Sequence, residues 1–460
     1  KETKILEDEI LLNEVLGLAE FPSVLEGSIS EEFMSLPREV LSTAMRVHQK
    51  YFSIIDKNDN LLPKFLFISN SLPDKVRDST IIKGNERVLK ARLSDAKFFW
   101  NSDKENNLEE LNEKLKNVQF HEGLGSLNEK TKRMSKTSIF FSKLFDVNKN
   151  LAREAALLSK ADLISEMVGE FPELQGIMGG YYSQLQGQPK EVSDAIFDHY
   201  KPKGLLDTIP RTKLGCLLSI IDKIDTLTGF FIINKQPTGS KDPFALRRTG
   251  FAIVQILINH NLNISINDIF VEAFKSYGSY SESTHKSLND FIIDKIKFVL
   301  NQQNISLDII DSVMSLKNSF NIPIPILIRR INLLENQKND AEFKTFLIGF
   351  KRVHNVLNHS DISKYRLNKV NETLFKIDEE RELFKMVNML EDQINKFEFD
   401  INSQNLIINQ FLKLDHIIEA FFEKVIVNDN NERVKFNRLS LLNELSDNIN
   451  KFFKFNLILV

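Results

Sequence analysis

Three groups of residues in this 460-residue chain have the types and spacing to do chemistry. The first is charge set into apolar segments. Ser159, Lys160 and Asp162 interrupt NLAREAALLSKADLISEMVGEF, and Asp222 and Asp225 interrupt LGCLLSIIDKIDTLTGFF. Both segments are apolar nearly all round, as buried helices are. A charge there needs a partner or a polar cavity, so the two segments are expected to face each other across one. The second group is PTGSKDPFALRR, residues 237–248. Asp242 is expected to cap a helix whose first position is Pro243. Lys241, Arg247 and Arg248 would then surround bare N–H groups, a setting that suits an anion. The plainer reading is a capped helix with solvated charges. The third group is a basic run with Lys83, Arg87, Lys90, Arg92 and Lys97 against Glu86 and Asp95. Arg87, Lys90 and Lys97 share one helical face, which fits either phosphate contact or plain solvation.

Other chemistries have no footing. The H-E-x-x-H zinc helix, the Walker loop and the G-x-S-x-G elbow are absent. The single cysteine, Cys216, lies in an apolar segment and reads as core. One cysteine excludes an internal disulfide and a multi-cysteine zinc site, and it fits a reducing, cytoplasmic setting. A net charge of −3 does not mark a nucleic-acid binder, so any such role rests on local patches. No apolar run is long enough to span a membrane. The chain starts KETKILEDEI, without methionine and without a signal peptide, and is read as a fragment.

The elements that must position these groups are mostly helical. Residues 1–80 mix a helix, KILEDEILLNEVLGLAEFP, with a hairpin, KYFSIIDKNDNLLPKFLFISN, whose apolar runs flank an Asp/Asn-rich turn. Residues 81–116 are helical, with Leu89, Leu93, Ala96 and Trp100 as a buried stripe. Residues 117–290 read as all-helical, and 291–460 as a helical bundle. In that bundle Leu383, Met386, Leu390, Ile394 and Phe397 form one apolar stripe. The fold class is therefore mainly α. Its three expected domains are an α+β remnant at 1–80, a helical domain at 81–290 and a helical bundle at 291–460.

The order of the polar helices resembles the HD phosphohydrolase fold. In that family a His-Asp pair, later histidines and a last aspartate bind divalent metal and activate water. Here AALLSKADL stands where AALLHD would, so Ser159 and Lys160 replace ligands. Asp162, His199 and Asp222 match remaining positions. Too few ligands and a lysine make a poor metal site, so a domain that kept the fold and lost the hydrolase is expected. A metal-dependent phosphohydrolase is the alternative.

Several phrases resemble the bacterial glycyl-tRNA synthetase beta subunit. They are GNERVLKARLSDAKFFW, ADLISEMVGEFPELQGIMGGYY, HYKPKG, DKIDTLTGFF, PTGSKDPFALRR and FFEKVIVNDNNERVKFNRLSLL. The match runs in order through most of the chain, which looks like the C-terminal two-thirds of the family's longer chain. The resemblance implies a tRNA-binding, non-catalytic subunit of an α2β2 ligase. The alpha subunit would hold ATP and magnesium and attach glycine to tRNA(Gly), and this chain would bind no cofactor. Residues 31–70 look like part of a region found in phenylalanyl-tRNA synthetase beta chains. The middle is HD-like, and the last part is an anticodon-binding domain of the type shared with arginyl-tRNA synthetase. By this resemblance Arg87, Lys90, Lys97, Lys241, Arg247 and Arg248 are candidates for tRNA phosphates. Lys351, Arg352, Asn355, Asn437 and Arg438 are candidates for the anticodon. For Arg438 a structural ion pair is the competing reading, and for the whole chain a scaffold that touches no RNA.

Overall fold

Asp56 closes the hairpin expected near the N-terminus. Its carboxylate accepts the N–H groups of Asn58 and Asn60, so the chain reverses between strands β3 (Phe52–Asp56) and β4 (Leu61–Asn70). This computed structural model describes residues 3–205, 207–278, 280–359, 369–397 and 399–459. Two further strands, β1 (Thr3–Ile5) and β2 (Pro22–Ser28), complete an antiparallel sheet of order β1-β3-β4-β2. Helix α1 (Glu9–Leu16) is shorter than the sequence suggested. Asp8 caps it by accepting from Leu11 N, and pairing with β3 and β4 draws the flanking residues into the sheet. Leu11 and Val15 pack on Phe52, Leu66 and Ile68.

The chain divides into two compact units, 1–202 with 206–225, and 203–205 with 226–460. In the first unit, short helix α2 (Arg38–Thr43) is followed after the hairpin by α3 (Lys75–Asp103). Asp74 caps α3 through the N–H groups of Val76 and Arg77. The stripe Leu89, Leu93 and Ala96 is buried as expected, and Trp100 stacks on Tyr182 with ring centres 5.6 Å apart. Next come α4 (Leu108–Lys114), a small hairpin of β5 (Gln119–His121) and β6 (Gly125–Ser126), and α5 (Leu127–Phe145). The hairpin interrupts a region read as all-helical. Gly123 and Gly125 make it possible, with φ of 82° and 80°. Helix α6 (Lys149–Leu158) runs back along α5. The segment read as one long helix stops there. Asp162 turns away to bind the start of a later helix, and only short pieces follow: a 3-10 turn and α7 (Glu166–Glu170). Helices α8 (Ile177–Leu185) and α9 (Lys190–Asp198) complete the packing before α10 (Lys213–Ile232). Cys216 is fully buried in α10, as expected of a core residue.

The second unit is helical throughout its named elements. Helices α11 (Leu246–Asn259), α12 (Ile266–Tyr277), α13 (Glu282–Gln302), α14 (Leu307–Met314) and α15 (Ile324–Gln337) come first. The bundle of α16 (Ala341–His359), α17 (Asp378–Phe397), α18 (Gln404–Lys424) and α19 (Glu432–Asn450) follows. On α17, Leu383, Leu390 and Ile394 are buried, with Val387 beside them, while Met386 is half-buried. The side chain of Phe397 lies outside the described residues. Phe455, just after α19, inserts among Phe343, Phe346 and Phe350 of α16 and Phe411 of α18, at ring separations of 5.2–6.0 Å. It is 1% exposed and ties the last turn of chain to two helices. Replacing a buried phenylalanine by alanine costs about 3–5 kcal/mol. Phe455→Ala should lower stability by that amount in urea unfolding of this unit. A loss under ~1 kcal/mol would mean the ring is not a packing centre.

Candidate functional site

The charges set into apolar segments do meet in one buried centre. Helix α6 ends at Leu158, and the turn that follows drops Lys160 inward at 3% exposure. Its Nζ lies 2.9 Å from His199 Nε2 and 2.8 Å from Asp222 Oδ2. The Tyr200 ring lies beneath it, 3.8 Å from Nζ to the ring centre, adding a cation–π contact. His199 Nδ1 lies 2.6 Å from the Ile196 carbonyl and must donate to it, so Nε2 presents its lone pair to the lysine. Burial, and then the Lys160 ammonium, keep His199 well below its usual pKa and therefore neutral. Burial alone would raise Asp222. The ammonium groups of Lys130 and Lys160 outweigh it and hold the carboxyl well below the usual range.

The network extends along α10. Lys130 of α5 reaches Asp222 Oδ1 at 3.0 Å and Asp225 Oδ2 at 3.2 Å. Arg133 grips Asp225 through Nε and Nη2 at 2.8 and 3.1 Å. Lys223, between the two aspartates, donates to the carbonyls of His199 and Lys201 at 3.2 and 3.1 Å. The DKID stretch is therefore a set of struts tying α10 to α5 and to the segment after α9. Sequence reasoning missed Lys130 and Arg133. Their only signal was a three-residue spacing on a helix, and lysines are usually on the surface.

This donor set does not fit the divalent metal that an HD-type fold suggests. The nitrogen and oxygen that would ligate, His199 Nε2 and Asp222 Oδ2, already share an ammonium. Ser159 turns its hydroxyl to the Ala156 carbonyl at 2.9 Å. Asp162 faces elsewhere, its Oδ2 accepting from Gly176 N and Gly179 N at 2.6 and 2.9 Å around the start of α8. Among the described residues, no group of three or more His, Cys, Asp or Glu is placed to hold a metal ion.

The PTGSKDPFALRR segment departs from the sequence expectation. Helix α11 starts at Leu246, and Pro243 lies before it. Gly239 adopts φ 47° in a tight turn between Thr238 and Lys241, and Ala245 adopts φ 54° before the helix. The Asp242 carboxylate accepts from Leu246 N at 2.8 Å and Arg247 N at 3.0 Å. The helix start is thus filled by the protein's own anion, so the expected bare N–H site is not formed. Arg247 is half-buried and donates to Gly239 O at 2.6 Å, bracing the loop. Lys241 and Arg248 are exposed.

On α3, Arg87 and Lys90 are exposed, and with Lys83 they line a cleft of about 280 Å³ against residues 28–30. Lys97 reaches Glu32 at 3.2 Å. In the bundle, the five candidate anticodon residues separate into two sets. Lys351, Arg352 and Asn355 lie on α16, with Arg352 and Asn355 exposed and Lys351 half-buried. The Arg352 guanidinium is stacked over Phe422, 4.5 Å from the ring centre. Ile348, 61% exposed, lies one turn before Arg352, a neighbour that the sequence did not single out.

Asn437 and Arg438 are buried, which corrects the expectation that they meet RNA. Arg438 donates from Nε to Glu380 Oε1 at 2.7 Å and from Nη1 to Ile426 O at 2.9 Å and Asp429 Oδ2 at 3.0 Å. Asn437 exchanges two hydrogen bonds with the backbone of Asn371. Both hold connecting segments against α19, so the ion-pair reading is the one the geometry supports.

No helix among the described residues is long and apolar enough to cross a membrane. The chain is mainly helical, and its last part is of the class that carries an anticodon-binding module. Residues 347–459 match the DALR anticodon binding domain, and residues 1–315 match the glycyl-tRNA synthetase beta subunit. The chain belongs to the glycyl-tRNA synthetase beta subunit family. It is 38% identical over 98% of its length to the glycine–tRNA ligase beta subunit of Rickettsia akari and covers 65% of that protein. The beta subunit of Rickettsia canadensis is 39% identical over 98% of this chain, with 65% of that protein covered. That of Neisseria meningitidis is 37% identical over 96% of this chain, with 63% covered. The chain thus spans about 65% of the length of the first of these relatives.

Two variants probe these assignments. Removing one partner of a buried ion pair costs about 3–5 kcal/mol, so Arg438→Ala should destabilise the second unit by that much in denaturant unfolding. A stable variant would return Arg438 to the candidate readers of RNA. Burial raises Asp162 to about 6 from its ordinary 3.8. A carboxyl raised on folding stabilises fully below its unfolded pKa, and that contribution is lost as pH rises through the folded value. Wild type should therefore lose stability relative to Asp162→Asn between about pH 4 and 7, on the order of 2–3 kcal/mol. Parallel stability curves for the two proteins would show that Asp162 titrates normally.

Proposed function

We propose that this chain is the RNA-gripping part of a glycine–tRNA ligase beta subunit. In this reading it binds tRNA(Gly) within an α2β2 assembly, and the alpha subunit attaches glycine there with ATP and magnesium. The chain itself does no bond-making and binds no cofactor. The single observation that carries the reading is the exposed face of α16, within the region matching an anticodon-binding domain. Arg352 and Asn355 offer donors and an acceptor for unstacked base edges. Phe422 supports the guanidinium from below, and Ile348 gives an apolar surface for a base to lie on. The exposed cations of α3, Lys83, Arg87 and Lys90, and the exposed Lys241 and Arg248, supply backbone contacts that position without reading sequence.

Filter binding of a tRNA(Gly) transcript across a salt series tests the reading. Binding should weaken steeply with salt. Arg352→Ala with Asn355→Ala should cost about 1–3 kcal/mol of affinity and relax discrimination against an altered anticodon. The same chain added to purified alpha subunit should raise glycylation of that transcript. No binding at low salt would leave only a scaffold that does not touch RNA.

A further inference from the structure

The outer side of the α5–α6 hairpin carries a ridge of cations that none of the assignments above uses. Lys132, Lys136 and Lys143 of α5 are all exposed, at i, i+4 and i+11. That spacing puts them within about 40° of one another around the helix and about 17 Å apart end to end. Lys149 and Arg153 repeat the i, i+4 spacing on α6, also exposed. Lys132 and Arg153 line one cleft of about 560 Å³, so the two rows open to the same side of the hairpin. Lys132 lies within electrostatic reach of Glu113 and Glu129, and Lys136, Lys143, Lys149 and Arg153 stand out to solvent.

Carboxylates near the ridge are largely engaged elsewhere. Glu129 closes the capping box with Ser126, Glu113 pairs with Lys116, and Asp146 lies 3.5 Å from Lys213. Glu109, Glu113 and Glu154 all line the cleft beside Lys132 and Arg153, while among the described residues no carboxylate lines it next to Lys136 or Lys143. Five exposed cations on one hairpin make a local positive patch in a chain of net charge −3.

We propose that this ridge tracks the phosphate backbone of RNA. Its three α5 lysines stand in one line, as contacts to successive phosphates of one strand require. A protein partner fits less well, because protein interfaces are depleted in lysine and centred on apolar or aromatic anchors. Here the ridge has one exposed apolar residue, Ile139 at 42%. Phosphates take the lysines, and Glu109, Glu113 and Glu154 keep the strand out of the cleft, which fixes its path along α5. The surface is separate from the residues assigned to the anticodon and to α3, although the choice of RNA rests on the function proposed above.

The test uses the whole chain with Lys132→Gln, Lys136→Gln and Lys143→Gln combined. The three side chains are exposed, so the melting curve should match wild type. Filter binding of the tRNA(Gly) transcript is measured over a salt series, beside binding of polyglutamate as an acidic-protein probe. The variant should bind the transcript about tenfold more weakly or worse, with a salt slope shallower by about 2–3. Equal transcript binding and an equal slope, in a preparation whose wild type binds, would overturn the ridge and leave the subunit assignment standing. Loss of polyglutamate binding with unchanged transcript binding would overturn it in favour of an acidic protein. Failure of wild type to bind the transcript would overturn both readings.

Discussion

The Lys160 ammonium, held between His199 Nε2 and Asp222 Oδ2, is the contact on which the first unit depends. A buried cation must be matched or the fold loses several kcal/mol. Meeting that demand fixes much else. Asp222 faces two lysines and so pulls in Lys130 with α5. Lys130 calls in Asp225, and Arg133 completes it. Lys223 then binds the carbonyls after α9. The arrangement is satisfied internally and leaves no free ligand pair at its centre.

The second unit follows the same rule with other residues. Arg438 has the chemistry to read a base, but Glu380 and Asp429 have taken it. Burial separates it from Arg352, which has the same side chain on an exposed helix over Phe422. The motif FNRLSLL is therefore a scaffold element, and GFKRVHNVLN carries the face available to a partner. Residue type alone would rank the two arginines equally. What differs is whether a carboxylate is within reach when the helices pack.

Much of the fold was legible because it rests on short-range rules. The N-terminal hairpin, the Leu89–Leu93–Ala96 stripe, the burial of Cys216 and the bundle stripe on α17 follow from periodicity and turn chemistry. The misreadings have one cause. The long helices drawn through residues 4–22 and 150–171 were periodic enough to be helical. They broke where a distant partner made a better offer. For the first that was sheet pairing with β3 and β4, and for the second the N–H groups of α8 that Asp162 accepts. Helix α11 started late for a related reason: Asp242 reached across a turn to cap it from three residues before its cap position.

By itself, then, the sequence determined that the chain is mainly helical, which faces are apolar, and that charges at 160, 162, 222 and 225 had to be matched inside. Those are properties of neighbours along the chain. Only the tertiary structure decided the partners. It showed that Lys160 faces His199 and Asp222, that Arg438 is spent on Glu380, and that of the α5 lysines Lys130 is drawn inside while Lys132, Lys136 and Lys143 are left outside. The physical reason is that a charge's role is set by what lies within about 4 Å of it and by how much water remains. Neither is a property of local sequence.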